Sequence, residues 1–254
     1  MFSNGMNDGS SSNPGLVTTS LIITEAPTPD PDDKNLPGSG DQQGALKFQP
    51  VTDFNINPLH SSLLSFFRKN AKALPNGYNL HINTNKRQYL VKNRENIAAN
   101  IAMMLDAAVS GRPLRRNTIL FARLQATGNL EKPHYAWELL QRLEELNLPA
   151  GTRLIVGKGM IEEMTGMLVL DQASFFTKYE VLEASNFEVA RKLFYEDGKL
   201  PKGLLTASKS YLEVCEKALQ VAHLGNFLSL SAVKDRLIKA SQLSPNHISA
   251  AMLA

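Results

Sequence analysis

The chain of 254 residues carries one cysteine, Cys215, so no disulfide can form within it. A lone thiol fits a protein that assembles in a reducing compartment such as the cytoplasm. It also leaves no Cys/His set for a structural zinc site. No stretch approaches 18 consecutive apolar residues, so no transmembrane span is expected. The start, Met1-Phe2-Ser3-Asn4-Gly5, has neither a basic cluster nor an apolar run and is not expected to act as a secretory signal. The histidines are His60, His81, His134, His223 and His247. No two have metal-ligand spacing, and no H-E-x-x-H motif occurs. No serine sits in a G-x-S-x-G elbow, and no internal repeat is visible. No catalytic group, metal ligand or cofactor is assigned from these patterns, and the chain leans away from being an enzyme.

What the chain does have is an uneven spread of charge. Residues 1–57 hold 7 acidic and 2 basic residues, a net of −5. Residues 58–123 hold 11 basic residues against Glu95 and Asp106, a net of +9. Residues 124–254 are close to neutral at −1, which completes the formal +3 of the whole chain. A modest total therefore hides an acidic segment followed by a strongly basic one. A basic segment of this ratio points to an anionic partner.

Residues 1–57 read as a disordered acidic tail. They hold 6 of the 13 prolines and 6 of the 16 glycines, with Pro27, Pro29 and Pro31 alternating with Thr28, Asp30 and Asp32. Such composition buries too little apolar surface to offset the entropy of ordering. One island, Leu16 to Thr24, is apolar and β-prone. It reads either as a stretch of no special role or as a docking strand for a partner protein's sheet edge.

Residues 58–254 read as a single globular domain, with a basic α/β-like part over 58–160 and a helical part over 161–254. The spacing predicts a short helix at 60–67 with Leu63, Phe66 and Phe67 inward. Alternation over Tyr78–Thr84 predicts a strand, and Asn85-Lys86 a turn into a second strand at 87–91. Ile97, Ile101, Met104, Leu105 and Ala108 form one face of a helix stopped by Gly111 and Pro113. Thr118–Ala122 and Thr152–Val156 are strand candidates. A helix beginning at Pro133 carries Leu139, Leu140, Leu143 and Leu146. In the last third, Ser185 and Glu188 suggest a capping box. Tyr211, Val214, Cys215, Ala218, Leu219 and Ala222 form the clearest helical stripe, which makes Cys215 a small buried apolar residue rather than a nucleophile. The fold class is α+β, mostly helical, with a small sheet in the first half of the ordered domain.

The candidate binding residues are Arg68 and Lys69 at a helix end, with Lys72 after it. Lys86, Arg87 and Lys92 lie about a turn, Arg112, Arg115 and Arg116 in a loop around Pro113, and Arg123 beyond a strand. Loops and turns present side chains outward, where they attract a phosphate backbone without reading sequence. Nucleic acid is the favoured partner. A protein partner reached through the tail, as for an adaptor or secreted effector, is the alternative. An anionic membrane surface ranks behind both.

Three further features draw a chemical reading. His81, beside Lys86 and Arg87, has the makings of a general base, but no acid partner is in view. Gly157-Lys158-Gly159 follows a strand and precedes a helix, as phosphate-binding turns do. Its spacing fits neither the P-loop nor the dinucleotide fingerprint, and Glu162 and Glu163 would repel an anion. At the C-terminus, helices are predicted at 231–240 and 244–252, with Ser244 as cap and Pro245 first. Residues Leu243 to Ser249 resemble the turn and recognition helix of AraC-type helix-turn-helix regulators. That resemblance implies DNA reading by Asn246, His247 and Ser249. It departs from the pattern in Ile238, where a small residue is usual, in Gln242, where glycine is usual, and in having no Arg or Lys on the reading helix.

Overall fold

The computed structural model describes residues 2–6, 15–25, 47–49, 57–70, 78–84, 90–91, 95–143, 146, 148–169 and 173–254. The chain divides into two compact units, Met1–Gly111 with Leu124–Gly128 and Arg112–Arg123 with Asn129–Ala254. The fold is α+β and mostly helical, with its second half dominated by helices. Much of the expected tail lies outside the described residues. Among the described residues, no helix is long and apolar enough to cross a membrane.

The first unit runs β1 (Phe2–Met6), β2 (Gly15–Glu25), β3 (Lys47–Gln49), α1 (Asn57–Lys69), β4 (Tyr78–Thr84), β5 (Leu90–Val91) and α2 (Glu95–Ser110). Its sheet has the order β3-β4-β2-β1-β5. The apolar island 16–24 is the body of β2, with β1 on one edge and β4 on the other. The expected hairpin between the strands at 78–84 and 87–91 does not form. β4 pairs with β2 and β3, while β5 lies at the far edge on β1. The strand pattern was sufficient to place β4, but its β2 partners come from 53–65 residues away in sequence, where no local turn signal reaches.

α1 buries Leu59, Leu63, Phe66 and Phe67. α2 packs against α1 and against β1 and β2. It is therefore buried on more than one face, including Ala98, Ala99, Ala102 and Met103 beside the expected Ile97, Ile101 and Leu105. Ala108, expected inward, is exposed. Gly111 ends the helix at φ +62, a left-handed conformation that suits glycine.

The second unit opens with β6 (Thr118–Phe121); after it come β7 (Arg123–Leu124), whose second residue is counted with the first unit, and β8 (Leu130–Glu131), a short two-stranded sheet. Then come α3 (Ala136–Leu143), β9 (Thr152–Val156), α4 (Met160–Val169), α5 (Ala173–Lys178), β10 (Tyr179–Glu183) and α6 (Phe187–Phe194). The chain ends in α7 (Lys202–Ala218), α8 (Leu224–Leu228), α9 (Ser231–Leu243) and α10 (Ile248–Leu253). β10, β9 and β6 form a parallel sheet in that order, with β9 central. Every residue of β9 is buried, as a central parallel strand requires. α6 packs on β9, α5 and α10 on β10, α3 on α4, and α7 along α9.

Three local expectations change here. The helix expected from Pro133 begins at Ala136. The cap of α6 is Asn186, whose side chain accepts from the Val189 N–H at 3.0 Å, so the Ser185–Glu188 box is not used. α9 continues through the expected turn to Leu243, and α10 begins at Ile248, with His247 rather than Ser244 as its cap.

Candidate anion-binding surface

The structure describes six of the ten candidate cations. Arg68 and Lys69 are exposed in the last turn of α1, where positive charge suits the helix dipole. Lys72, Lys86, Arg87 and Lys92 lie outside the described residues. Arg112, Arg115, Arg116 and Arg123 belong to the second unit. β6 separates them: the first three precede it, and Arg123 follows it at its carboxyl end.

The loop 112–116 is fixed by its backbone to the end of α6. The Arg115 N–H donates to the Phe194 carbonyl at 2.8 Å, and the Glu196 N–H to the Pro113 carbonyl at 3.1 Å. Arg112 spans this joint. Its Nε lies 3.1 Å from both Asp197 carboxylate oxygens and its Nη2 donates to one of them at 2.7 Å. Its guanidinium also lies 4.0 Å from the centre of the buried Tyr195 ring, with Arg191 at 5.8 Å on the same ring. The hydrogen bonds that Arg112 donates hold the Asp197 carboxyl below the usual carboxylate range and raise Arg112 itself. Arg112 thus serves the fold. Arg115 and Arg116 differ: neither has an ion pair among the described residues. The Arg115 Nε is buried with no hydrogen-bond partner, and Arg116 is exposed.

The glycine turn is structural. A Cβ on Gly157 would stand 2.2 Å from the Glu131 carbonyl oxygen, so only glycine permits this approach. The Gly157 N–H donates to the Phe121 carbonyl and the Lys158 N–H to the Leu130 carbonyl. Two donors that a phosphate would need are already used. His81 lies in β4 opposite Ile22 of β2.

Two of the three reading residues of the helix-turn-helix resemblance are turned inward, and the third, Asn246, is half-buried. His247 and Ser249 have no exposed surface. The Val181 N–H donates to the Ser249 Oγ, which donates in turn to the Tyr179 carbonyl, each at 2.8 Å. The Glu183 N–H donates to the Asn246 carbonyl at 2.8 Å. The segment therefore binds the edge of β10 and cannot read a DNA groove. The physical reason is that β10, the edge strand of the sheet, needs partners for its free backbone groups.

Behind this edge lies a buried charged network. Arg153 Nε of β9 donates to Glu180 Oε2 of β10 at 2.7 Å, and His247 Nε2 lies 3.6 Å from Glu180 Oε1. The His247 Nδ1 accepts from the Ala250 N–H, so a neutral ring carries its proton on the Nε2 that faces Glu180. Burial would raise the Glu180 carboxyl. The His247 ring, the charge and hydrogen bond of Arg153, and the nearby Ser208 hydroxyl outweigh burial and hold it at about 2. Tyr211 lies edge-on to His247, with ring centres 4.7 Å apart, and its hydroxyl reaches the Tyr179 carbonyl at 2.8 Å. Burial pushes the Cys215 thiol up to about 11, which makes it inert as a nucleophile. Nothing in the sequence pairs Arg153 with Glu180; the parallel register that sets Arg153 opposite Glu180 does.

Among the described residues, no three His, Cys, Asp or Glu side chains are grouped to hold a metal ion. No protein-family model matches this chain, and no curated protein matches it either.

Proposed function

We propose that the chain is a non-enzymatic binding protein that engages an anionic polymer, nucleic acid, through the arginine loop 112–116. The observation that carries this reading is the contrast within the loop. Arg112 is held by Asp197 and Tyr195. Arg115 and Arg116 have no acidic partner among the described residues. Arg116 is exposed and Arg115 half-buried, and a guanidinium with no acidic partner can donate to phosphate oxygens. The loop's backbone bonds to the end of α6 fix the chain that carries the two side chains, which lowers the ordering cost. The net of +9 over 58–123 adds a long-range attraction for polyanions.

The test is binding of the full chain to fluorescent mixed-sequence DNA and RNA across a salt series, with acidic lipid vesicles alongside. Replacing Arg115 and Arg116 together by alanine removes two phosphate contacts. The slope of log K against log salt then falls by about 1.8 on duplex DNA. An unchanged slope and affinity would rule the loop out, and absence of binding by the parent chain at low salt would rule out nucleic acid. Binding to vesicles alone would transfer the surface to lipid headgroups.

A further inference from the structure

A second site lies at the other end of β6, independent of the arginine loop. A cavity of about 330 Å³ lies just beyond the end of β6, lined by Arg123, Lys132, Tyr135, Trp137 and Glu163 among others. Its size falls in the range of small-molecule pockets. Crevices at the carboxyl ends of parallel strands are the usual ligand sites of open α/β sheets.

The walls of the cavity are fixed. Lys132 N–H donates to the Lys158 carbonyl, and Lys158 N–H to the Leu130 carbonyl, both at 2.9 Å. Arg123 is held by Glu131 and by His134, whose Nε2 lies 3.1 Å from Arg123 Nη1. Trp137 packs on α4 at Gly166, where an added Cβ would stand 3.0 Å from the ring. Tyr135 holds φ +57, a left-handed conformation that a tyrosine rarely adopts, and is 39% exposed. Strain of this kind concentrates at functional sites.

The charge of the cavity decides what fits it. Lys132 Nζ donates to Glu163 Oε1 at 2.6 Å, and both side chains are partly exposed, at 43% and 27%. An incoming anion would take Lys132 and leave Glu163 unpaired beside it. An incoming cation would take Glu163 and leave Lys132 unpaired. A ligand with both charges opens the Lys132–Glu163 pair, makes two, and leaves Arg123 with Glu131 as it was. Two aromatic rings stand ready for an apolar group on the same ligand.

We propose that this cavity binds a free α-amino acid with an aromatic or large apolar side chain. The carboxylate takes Lys132, the ammonium takes Glu163, and the side chain lies against Tyr135 and Trp137.

Calorimetric titration of the full chain with three probes tests this. They are L-phenylalanine, phenylpropionate, which lacks the ammonium, and phenethylamine, which lacks the carboxylate. Phenylalanine is expected to bind at least about tenfold more tightly than either single-charge probe. Glu163→Gln should weaken phenylalanine by about tenfold and tighten phenylpropionate, because Lys132 is then free for a carboxylate. Circular dichroism checks that the variant is folded, and Lys132→Met, with the opposite preference for phenethylamine, provides a second reading. Phenylpropionate binding as tightly as phenylalanine to the parent chain would make this a plain anion site and overturn the proposal. So would failure of phenylalanine to bind at about 10 mM.

Discussion

Arg153 and Glu180 illustrate how a single residue's state depends on its neighbours. Neither is at home on a buried strand, and each is tolerated because the other stands opposite at 2.7 Å. Removing one partner strands the other. Glu180→Gln is expected to destabilise the fold by about 3 kcal/mol or more, whereas Arg153→Met with Glu180→Met together should cost less. Urea unfolding of the parent and the two variants measures this, and equal losses for the single and double variants would contradict the coupling. The same pair sets a pH dependence. The Glu180 carboxyl stands at about 2 in the fold against 4.5 outside it. A depressed carboxyl stabilises above its unfolded value and loses that contribution as pH falls through its folded one. Roughly 3 kcal/mol should therefore disappear between about pH 4.5 and pH 2. The double variant should lose less over the same range.

Elements differ in how far their own residues determine them. α1, β4, β6 and β9 were legible because each carries its period, or an unbroken apolar run, within its own span. β10 was not. It follows α5 directly, Tyr179 coming straight after Lys178 with no turn residue at the junction, and it carries Glu180 and Glu183 among its five residues. Those acids read as surface helix until Arg153 and the 246–249 segment are set beside them. The inward turn of His247 and Ser249 was hidden for the same reason, since the partners of Ser249 lie 68 and 70 residues away and His247 faces Glu180 of β10. Of the basic loop, sequence reading located the cations but not the pairing that separates Arg112 from Arg115 and Arg116. The cap of α6 gives a direct test of local reading against structure. Asn186→Ala removes the bond to Val189 and should cost about 1 kcal/mol. Ser185→Ala, the cap expected from sequence, should change stability by a few tenths at most. Thermal unfolding of both variants separates the two assignments, and a larger loss at 185 would restore the capping box.

At the scale of the whole molecule, charge is segregated along the chain, and the acidic 1–57 segment precedes the basic one. If the acidic segment competes with nucleic acid for the same cations, weakening it should tighten binding. Deletion is a poor test, because β2 and β3 flank β4 on both sides and β1 carries β5. Removing 1–57 would strip two strands of their partners and leave open sheet edges, which associate without regard to charge. Changing charge alone avoids this. Asp30→Asn, Asp32→Asn and Asp33→Asn together keep the length and every described strand. They raise the net charge by three, so a control is needed that makes the same change elsewhere. Glu162→Gln, Glu216→Gln and Asp235→Asn supply it from exposed positions of the second unit. Competition predicts that the first set tightens binding more than the second at low salt. The difference should shrink as ionic strength rises and the screening length falls to about 10 Å at 0.1 M. Equal gains from both sets would mean that only total charge matters, and the acidic segment would then have no specific hold on the basic one.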